Sequence, residues 1–380
     1  MRSPSQAIQP AQDTGKILGI ELLRFTSALA VLIFHYQHFT FVGASPVDLI
    51  RTQQPFYPVL GFFYRYGFYG VEVFWCISGF IFFWKYAREI AGRTLAGYTF
   101  FILRVSRLYP LHLATLLFVA VMQWVYRSKN GAFFVYQVND LQHFVLQLFM
   151  ASNWGPETAE SFNGPIWSIS IEVLVYAIFF MSLRYLSSSA IFITLVAVGA
   201  GLIQLLKLSE NPLFTCLMYF YLGCLTALVY ERVRQRRTAR RLASALALLS
   251  IIALAVLSHF VSVSAKQLLV VFSPALIFLC VTHIPAGKTN ARLLVPAGNI
   301  TYSSYLLHVP IQLTVVTFCG FAGFRIPFYN PAFFMVYLIG TLALSHFTYE
   351  KFEAPLQSLI RRRLLRRKST AVPKAQPQDA

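Results

Sequence analysis

The chain has 380 residues, 57% of them hydrophobic and only 12% charged, against roughly a quarter charged in soluble domains. This shortage of charge, with apolar runs near membrane-spanning length, excludes an ordinary soluble domain and indicates a polytopic membrane protein. The net charge of +18 does not imply a nucleic-acid partner, because the basic residues gather between the apolar runs.

Residues 1–16 are mostly polar and contain no cleavable signal peptide, so they read as a cytoplasmic N-terminal segment. The pattern then predicts an all-α fold of ten transmembrane helices, near 17–39, 67–86, 108–126, 166–183, 189–206, 213–230, 242–261, 267–284, 299–320 and 331–349. With the N-terminus inside, the inner segments hold 24 of the 32 Lys and Arg, and the outer loops hold seven. That split places both termini in the cytoplasm. The basic runs at Arg232–Arg241 and Arg361–Lys368 then rest against anionic lipid headgroups. No internal repeat is visible.

Span 1 carries Arg24 and His35, and an ionisable residue inside a span marks a functional site by default. Eleven positions at 100° per residue return them to within roughly 20° of one face, about 16 Å apart along the axis. Glu21 shares that face with Arg24 at i, i+3, which leaves a structural ion pair as the plain alternative.

Two further acids lie within spans, Glu72 in span 2 and Glu172 in span 4, both toward the outer ends. His35 lies at a similar depth, so an acid beside the imidazole is expected to orient it and raise its basicity. Helix capping is the competing role for both acids. Arg104 and Arg107 sit at the cytoplasmic mouth of span 3, ahead of Tyr109-Pro110, where planar guanidinium groups suit phosphate.

Between spans 3 and 4 the outer segment 127–165 contains an apolar stretch, Asp140 to Met150, too short to cross and expected to form an interfacial helix. With the aromatic segment 40–66 it is expected to build a lid or cleft facing outward. In span 9, His308 follows Ser304 by one turn and precedes Pro310, which loosens the helix. The cysteines Cys76, Cys216, Cys224, Cys280 and Cys319 form no CxxC pair, so neither disulfide nor metal is inferred. Residues 358–380 read as a basic, then polar, cytoplasmic tail with a disordered end.

Six fragments together resemble the bacterial acyltransferase-3 family of integral membrane enzymes, which O-acylate glycans and related acceptors. They are Gly19-Ile-Glu-Leu-Leu-Arg24 running to His35, Gly70-Val-Glu72 to Phe80, and Phe101-Ile-Leu-Arg104-Val-Ser-Arg107-Leu-Tyr-Pro110. They continue with Trp167-Ser168-Ile-Ser170-Ile-Glu172, Ser303-Ser304-Tyr305-Leu-Leu-His308, and Tyr349-Glu350-Lys-Phe-Glu353-Ala-Pro355. The resemblance covers residues 17–357 and maps an Arg-x10-His motif directly onto Arg24 and His35. It implies a ten-helix membrane domain, a cytoplasmic acyl-CoA donor (acetyl-CoA foremost) and an acceptor on the far side. The arginine motif of span 3 departs from the usual i, i+4 spacing, leaving only Arg104-x-x-Arg107. Some relatives carry a C-terminal SGNH esterase-like domain; with the last motif ending at Pro355 and the chain at Ala380, none is expected here.

The expected activity is transfer of an acyl group to a hydroxyl of a cell-surface polysaccharide or lipid-linked sugar, in the bacterial inner membrane. Arg24, Arg104 and Arg107 are expected to bind the donor. His35 is the expected base or transient acyl carrier, with Glu172, or else Glu72, as its orienting acid. Ser168, Ser170 and Tyr305 are candidate oxyanion donors and His308 a further candidate. No metal is required, because a thioester makes transfer to a hydroxyl downhill. The competing classes are a multi-pass transporter or glycan flippase, and a non-catalytic scaffold of a polysaccharide assembly complex. The acyl group, the acceptor and the oligomeric state stay open at this stage.

Overall fold

Long apolar runs with few helix breakers must satisfy their backbone internally in lipid, and here they do so as helices. The computed structural model describes residues 16–157, 159–262 and 264–369. The expectations for 1–15 and for the polar end after 369 lie outside the described residues. The described residues are 78% helical with almost no strand. Among the described residues, nine helices are long and apolar enough to cross a membrane. The tenth expected span is present as a shorter apolar helix, Ala190–Leu205. The protein is thus an all-α polytopic membrane protein.

The helices, in chain order, are α1 (Leu18–His35), α2 (Tyr57–Tyr66), α3 (Gly70–Ala91), α4 (Gly97–Asn130), α5 (Leu141–Leu148), α6 (Ile166–Tyr185) and α7 (Ala190–Leu205). They continue as α8 (Pro212–Val233), α9 (Arg237–Phe260), α10 (Ala265–His283), α11 (Lys288–Asn299), α12 (Thr301–Ala322), α13 (Pro331–Thr348) and α14 (Ala354–Ser369). One two-residue hairpin, Phe41–Val42 paired with Ser45–Pro46, forms the only sheet among the described residues.

The main core lies where α3, α6 and α8 meet, with Phe82 stacked on Tyr176 at 4.1 Å and Phe179 and Phe220 edge-on to Phe82. Its tightest seam joins α3 to α8. A Cβ at Gly79 would overlap the Phe220 carbonyl, and one at Gly223 would overlap that of Cys76. Two backbones meet here with no side chain between them, the small-residue packing that membrane helices use. The opposite extreme is α9, whose Leu242, Leu246, Leu249, Ile252 and Val256 are all exposed, as a lipid-facing surface requires.

Three elements depart from the sequence expectation. The third span starts at Gly97 rather than near 108, so Arg104 and Arg107 lie well inside α4 and not at its mouth. The guanidinium of Arg104 lies over the Phe82 and Tyr86 rings at 4.7 and 5.1 Å, which makes a charged turn compatible with packing. After α13 the chain runs without a break through a π-helical turn, Tyr349–Glu353, into α14. The basic tail is therefore helical up to Ser369, and Arg361 donates to Ser106 Oγ (3.1 Å) and to the Leu103 carbonyl (3.2 Å) on α4.

The third departure concerns the outer segments. The short helix expected within Asp140–Met150 is present as α5, capped by the Asp140 side chain accepting from the His143 N–H (2.9 Å). That bond and the imidazole of His143 hold the Asp140 carboxyl below the usual carboxylate range. Leu141, Val145 and Phe149 stay exposed on its outer face. The rest of the segment does not form a lid. It inserts among the helices: Asn163 donates to the Leu306 carbonyl (3.0 Å), and Phe134 and Phe162 are buried. A cleft does lie beside the aromatic segment, between Phe39–Asp48, Asn130 and the loop after α12, including Arg325 and Tyr329. Buried polar residues fix this arrangement, and hydropathy averages over them.

Candidate functional site

Helix α1 presents one face to α12, and the two candidate residues of span 1 both use it. Near the start of α1, Arg24 donates to Glu21 Oε2 (3.1 Å) and to Thr301 Oγ1 (2.9 Å), the first residue of α12. At its end, the His35 ring packs against that of His308, centroids 4.9 Å apart, and Gln312 of α12 donates to the His35 carbonyl (2.8 Å). Two parallel helices in register therefore carry an arginine station and a histidine station. The predicted shared face is real.

The arginine station opens into a cavity of about 120 Å³ walled by α1, α3, α4, α6 and α12. Arg24, Arg104 and Arg107 all line it, with Glu172, Ser168 and Tyr305. Three guanidinium groups against one carboxylate make an anion-attracting chamber. Arg104 Nη2 donates to the Tyr86 hydroxyl (2.6 Å), while its Nε is buried with no partner. No hydrogen bond or ion pair ties Arg107 to any described residue, so its fork is available to a ligand. At this volume the chamber admits a phosphate or a thioester end, far less than a complete nucleotide-bearing donor needs.

Glu172 belongs to this chamber and not to the histidines. Its carboxylate lies beside Ser78 and Tyr176, within electrostatic reach of Arg107 and Arg24, and its Oε1 is buried without a hydrogen-bond partner. Glu72 is buried at the start of α3, faces the charge of Lys266, and is not part of the chamber wall. Among the described residues neither acid hydrogen-bonds or ion-pairs with His35, in contrast to the expected carboxylate–imidazole pairing. Similar depth in a membrane says nothing about which way a side chain points around its helix.

The hydroxyl candidates divide in the same way. Ser168 Oγ and Tyr305 OH lie 2.7 Å apart, and both approach the Pro165 carbonyl, at 3.2 and 3.1 Å. Two protons serve three contacts, so neither hydroxyl has a spare donor in this arrangement. Ser170 lies outside the chamber wall: its Oγ accepts from the Asn153 N–H (3.2 Å), and the Trp154 indole donates to its carbonyl (2.9 Å). It pins the outer segment to α6.

Behind Tyr305 lies the histidine station. His308 Nδ1 approaches the Tyr305 carbonyl (2.7 Å), and His35 Nδ1 the Val31 carbonyl (2.9 Å). A carbonyl only accepts, so both Nδ1 atoms carry the proton and both neutral rings present a bare Nε2. Nε2 of His308 is buried without a partner. A third ring, His38, packs on His35 at 4.8 Å with its own Nδ1 unpartnered. Sequence reasoning passed over His38, although His35-x-x-His38 is one helical turn and was there to be read. It also passed over Glu353, which accepts from Ser303 Oγ (2.7 Å), is buried, and lies within reach of Arg107 and Arg24. Its signal was an acid inside the last recognised fragment.

Compared with known protein families, residues 17–350 match the model described as an acyltransferase domain, that of the acyltransferase-3 family. Comparison with curated proteins and with solved structures gave no match.

Proposed function

Because the chain belongs to the acyltransferase-3 family and is a membrane acyltransferase, we propose that it moves an acyl group from cytoplasmic acyl-CoA to a glycan hydroxyl on the opposite side. The acceptor is a cell-surface polysaccharide or a lipid-linked sugar, the donor acetyl-CoA in the first instance, and the membrane the bacterial inner membrane. The observation that carries this reading is the α1–α12 pair, which holds a chamber-lining arginine at one level and a bare histidine nitrogen at the next.

In this scheme a donor phosphate is held by the free fork of Arg107 with Arg104, and Arg24 holds a phosphate or the arm that carries the thioester on toward His35. This chain's departure from the family's arginine spacing is absorbed by the helix, since Arg104 and Arg107 both line the chamber. His35 Nε2 removes the proton from the acceptor hydroxyl as its oxygen attacks the thioester carbonyl. The C–O ester bond forms, the C–S bond breaks, and the proton passes to the leaving thiolate. The alternative order has His35 Nε2 attack first and carry the acyl group across. The arginine station, about 16 Å from His35 along α1, serves the donor's phosphates, and the committed hydroxyls of Ser168 and Tyr305 have no spare donor for the tetrahedral oxyanion.

Two measurements test this reading. Mass spectrometry of surface glycans with and without the protein is expected to differ by one acyl unit. Purified His35→Ala protein is expected to lose acyl transfer; full retention would remove His35 as base or carrier.

A further inference from the structure

A second cavity, of about 520 Å³, lies against the first between α4, α5 and α6. Its wall is almost wholly apolar, with Phe100, Leu148, Met150, Val173 and Phe180 among its residues. At its rim Phe101, Phe149 and Met181 are exposed, so it opens sideways into the lipid-facing surface. At its closed end, Arg104, Leu108 and Tyr176 line this cavity and the arginine chamber alike. In the orientation read from the charges, 97–109 of α4 and 173–181 of α6 lie in the cytoplasmic half, the side from which the thioester comes.

From this juxtaposition we infer that the side groove holds the hydrocarbon tail of the transferred acyl group, so that the enzyme accepts medium-chain acyl thioesters as well as acetyl. The inference rests on the acyl-CoA reading above and adds the chain length to it. Arg104 stands at the junction, its guanidinium anchored by Tyr86 and by the Phe82 face and its Nε unpartnered. A thioester in the chamber thus has polar groups on one side and an apolar exit on the other. Each methylene moved from water into such a groove favours binding by roughly fourfold. The chemistry is unchanged: the ester C–O bond forms, the thioester C–S bond breaks, and the proton ends on the thiol. Only the length of the group differs. The groove's α5 side, Leu148 to Trp154, belongs to the outer segment, and it is the junction with the arginine chamber through Arg104, Leu108 and Tyr176 that favours a donor chain over the tail of a lipid-linked sugar.

The test uses membrane vesicles carrying the full chain, radiolabelled acetyl-CoA and octanoyl-CoA, and label recovered in the glycan fraction. Wild-type protein is expected to transfer both. Ala177→Trp, which fills the groove from α6 without touching the arginines or histidines, is expected to cut octanoyl transfer by roughly tenfold or more and leave acetyl transfer nearly unchanged. Val173→Phe, on the same wall, is expected to do the same, and retained acetyl transfer shows that each variant has folded. Acetyl transfer without octanoyl transfer in the wild type would mean the groove holds bilayer lipid only, and overturns the assignment. So does an equal effect of both variants on the two donors. Consumption of neither thioester overturns the acyl-CoA reading itself, and the groove assignment with it.

Discussion

His35 and His308 face each other with ring centroids 4.9 Å apart, and each has its Nδ1 committed to a carbonyl of its own helix. Two neutral imidazoles so fixed present two bare nitrogens to one small volume. A proton taken up by either ring disfavours protonation of the other, because like charges this close repel. In the proposed reaction the pair is expected to behave as a single proton acceptor shared between α1 and α12. His308→Gln is therefore expected to lower acyl transfer strongly, within the hundred- to ten-thousandfold range typical of a lost acid–base group. The double variant with His35→Ala is expected to be little worse than either single one. Multiplying effects in single-turnover kinetics would show two independent residues.

The arginines of α4 are expected to respond differently to the same conservative change. Arg104→Lys removes the planar fork from the Phe82 and Tyr86 rings and the bond to the Tyr86 hydroxyl. It is expected to raise KM for the thioester roughly tenfold or more, with a smaller effect on kcat, as loss of a charged hydrogen bond requires. Arg107→Lys keeps the charge but loses bidentate geometry, and is expected to reduce kcat as well. Steady-state kinetics with the donor varied separates the two; an unchanged KM for Arg104→Lys would count against phosphate binding there.

Gly79→Ala and Gly223→Ala each place a methyl group into a facing backbone carbonyl. Either is expected to destabilise the α3–α8 seam by about 1–3 kcal/mol, the usual consequence of overpacking. Thermal unfolding in detergent, followed by tryptophan fluorescence, is expected to show a lower Tm. Gly199→Ala, which meets open space, is expected to leave Tm unchanged.

Asn163 is fully buried and donates to the Leu306 carbonyl of α12 (3.0 Å). Asn163→Ala leaves that carbonyl without its partner in the interior, at a cost of about 1–3 kcal/mol. The segment 131–165 is expected to be cut faster by added protease, measured by the fragment pattern on gels. Gln142→Ala, whose side-chain bond to the Pro156 carbonyl is exposed, is expected to leave the pattern as it is.

The sequence was legible wherever burial in lipid decides the outcome. Each of the ten expected spans is a helix, and the face shared by Arg24 and His35 survives because 100° per residue holds along an unbroken α1. It was illegible where one helix chooses its neighbour. Glu172 and His35 lie at a similar depth in the sequence reading, yet Glu172 turns toward Arg24 and Arg107 while His35 turns toward His308. The length of α4 was hidden for another reason: two arginines depress local hydropathy, although their aromatic partners keep the helix intact. Partners far along the chain carry that information, and a window of twenty residues does not see them.

The seam in which Gly79 meets the Phe220 backbone and Gly223 that of Cys76 has a mechanical side. Helices locked carbonyl against glycine have no compressible side chains between them and no room to slide. The wall of the arginine chamber formed by Phe74, Ser78 and Phe82 belongs to that locked unit. A chamber of 120 Å³ is expected to widen if the proposed donor is to enter, with α3 and α8 as the anvil for that widening. The widening is then expected to fall to α4, α12 and α14, joined by hydrogen bonds such as Tyr302 to the Leu108 carbonyl and Arg361 to Ser106 and the Leu103 carbonyl.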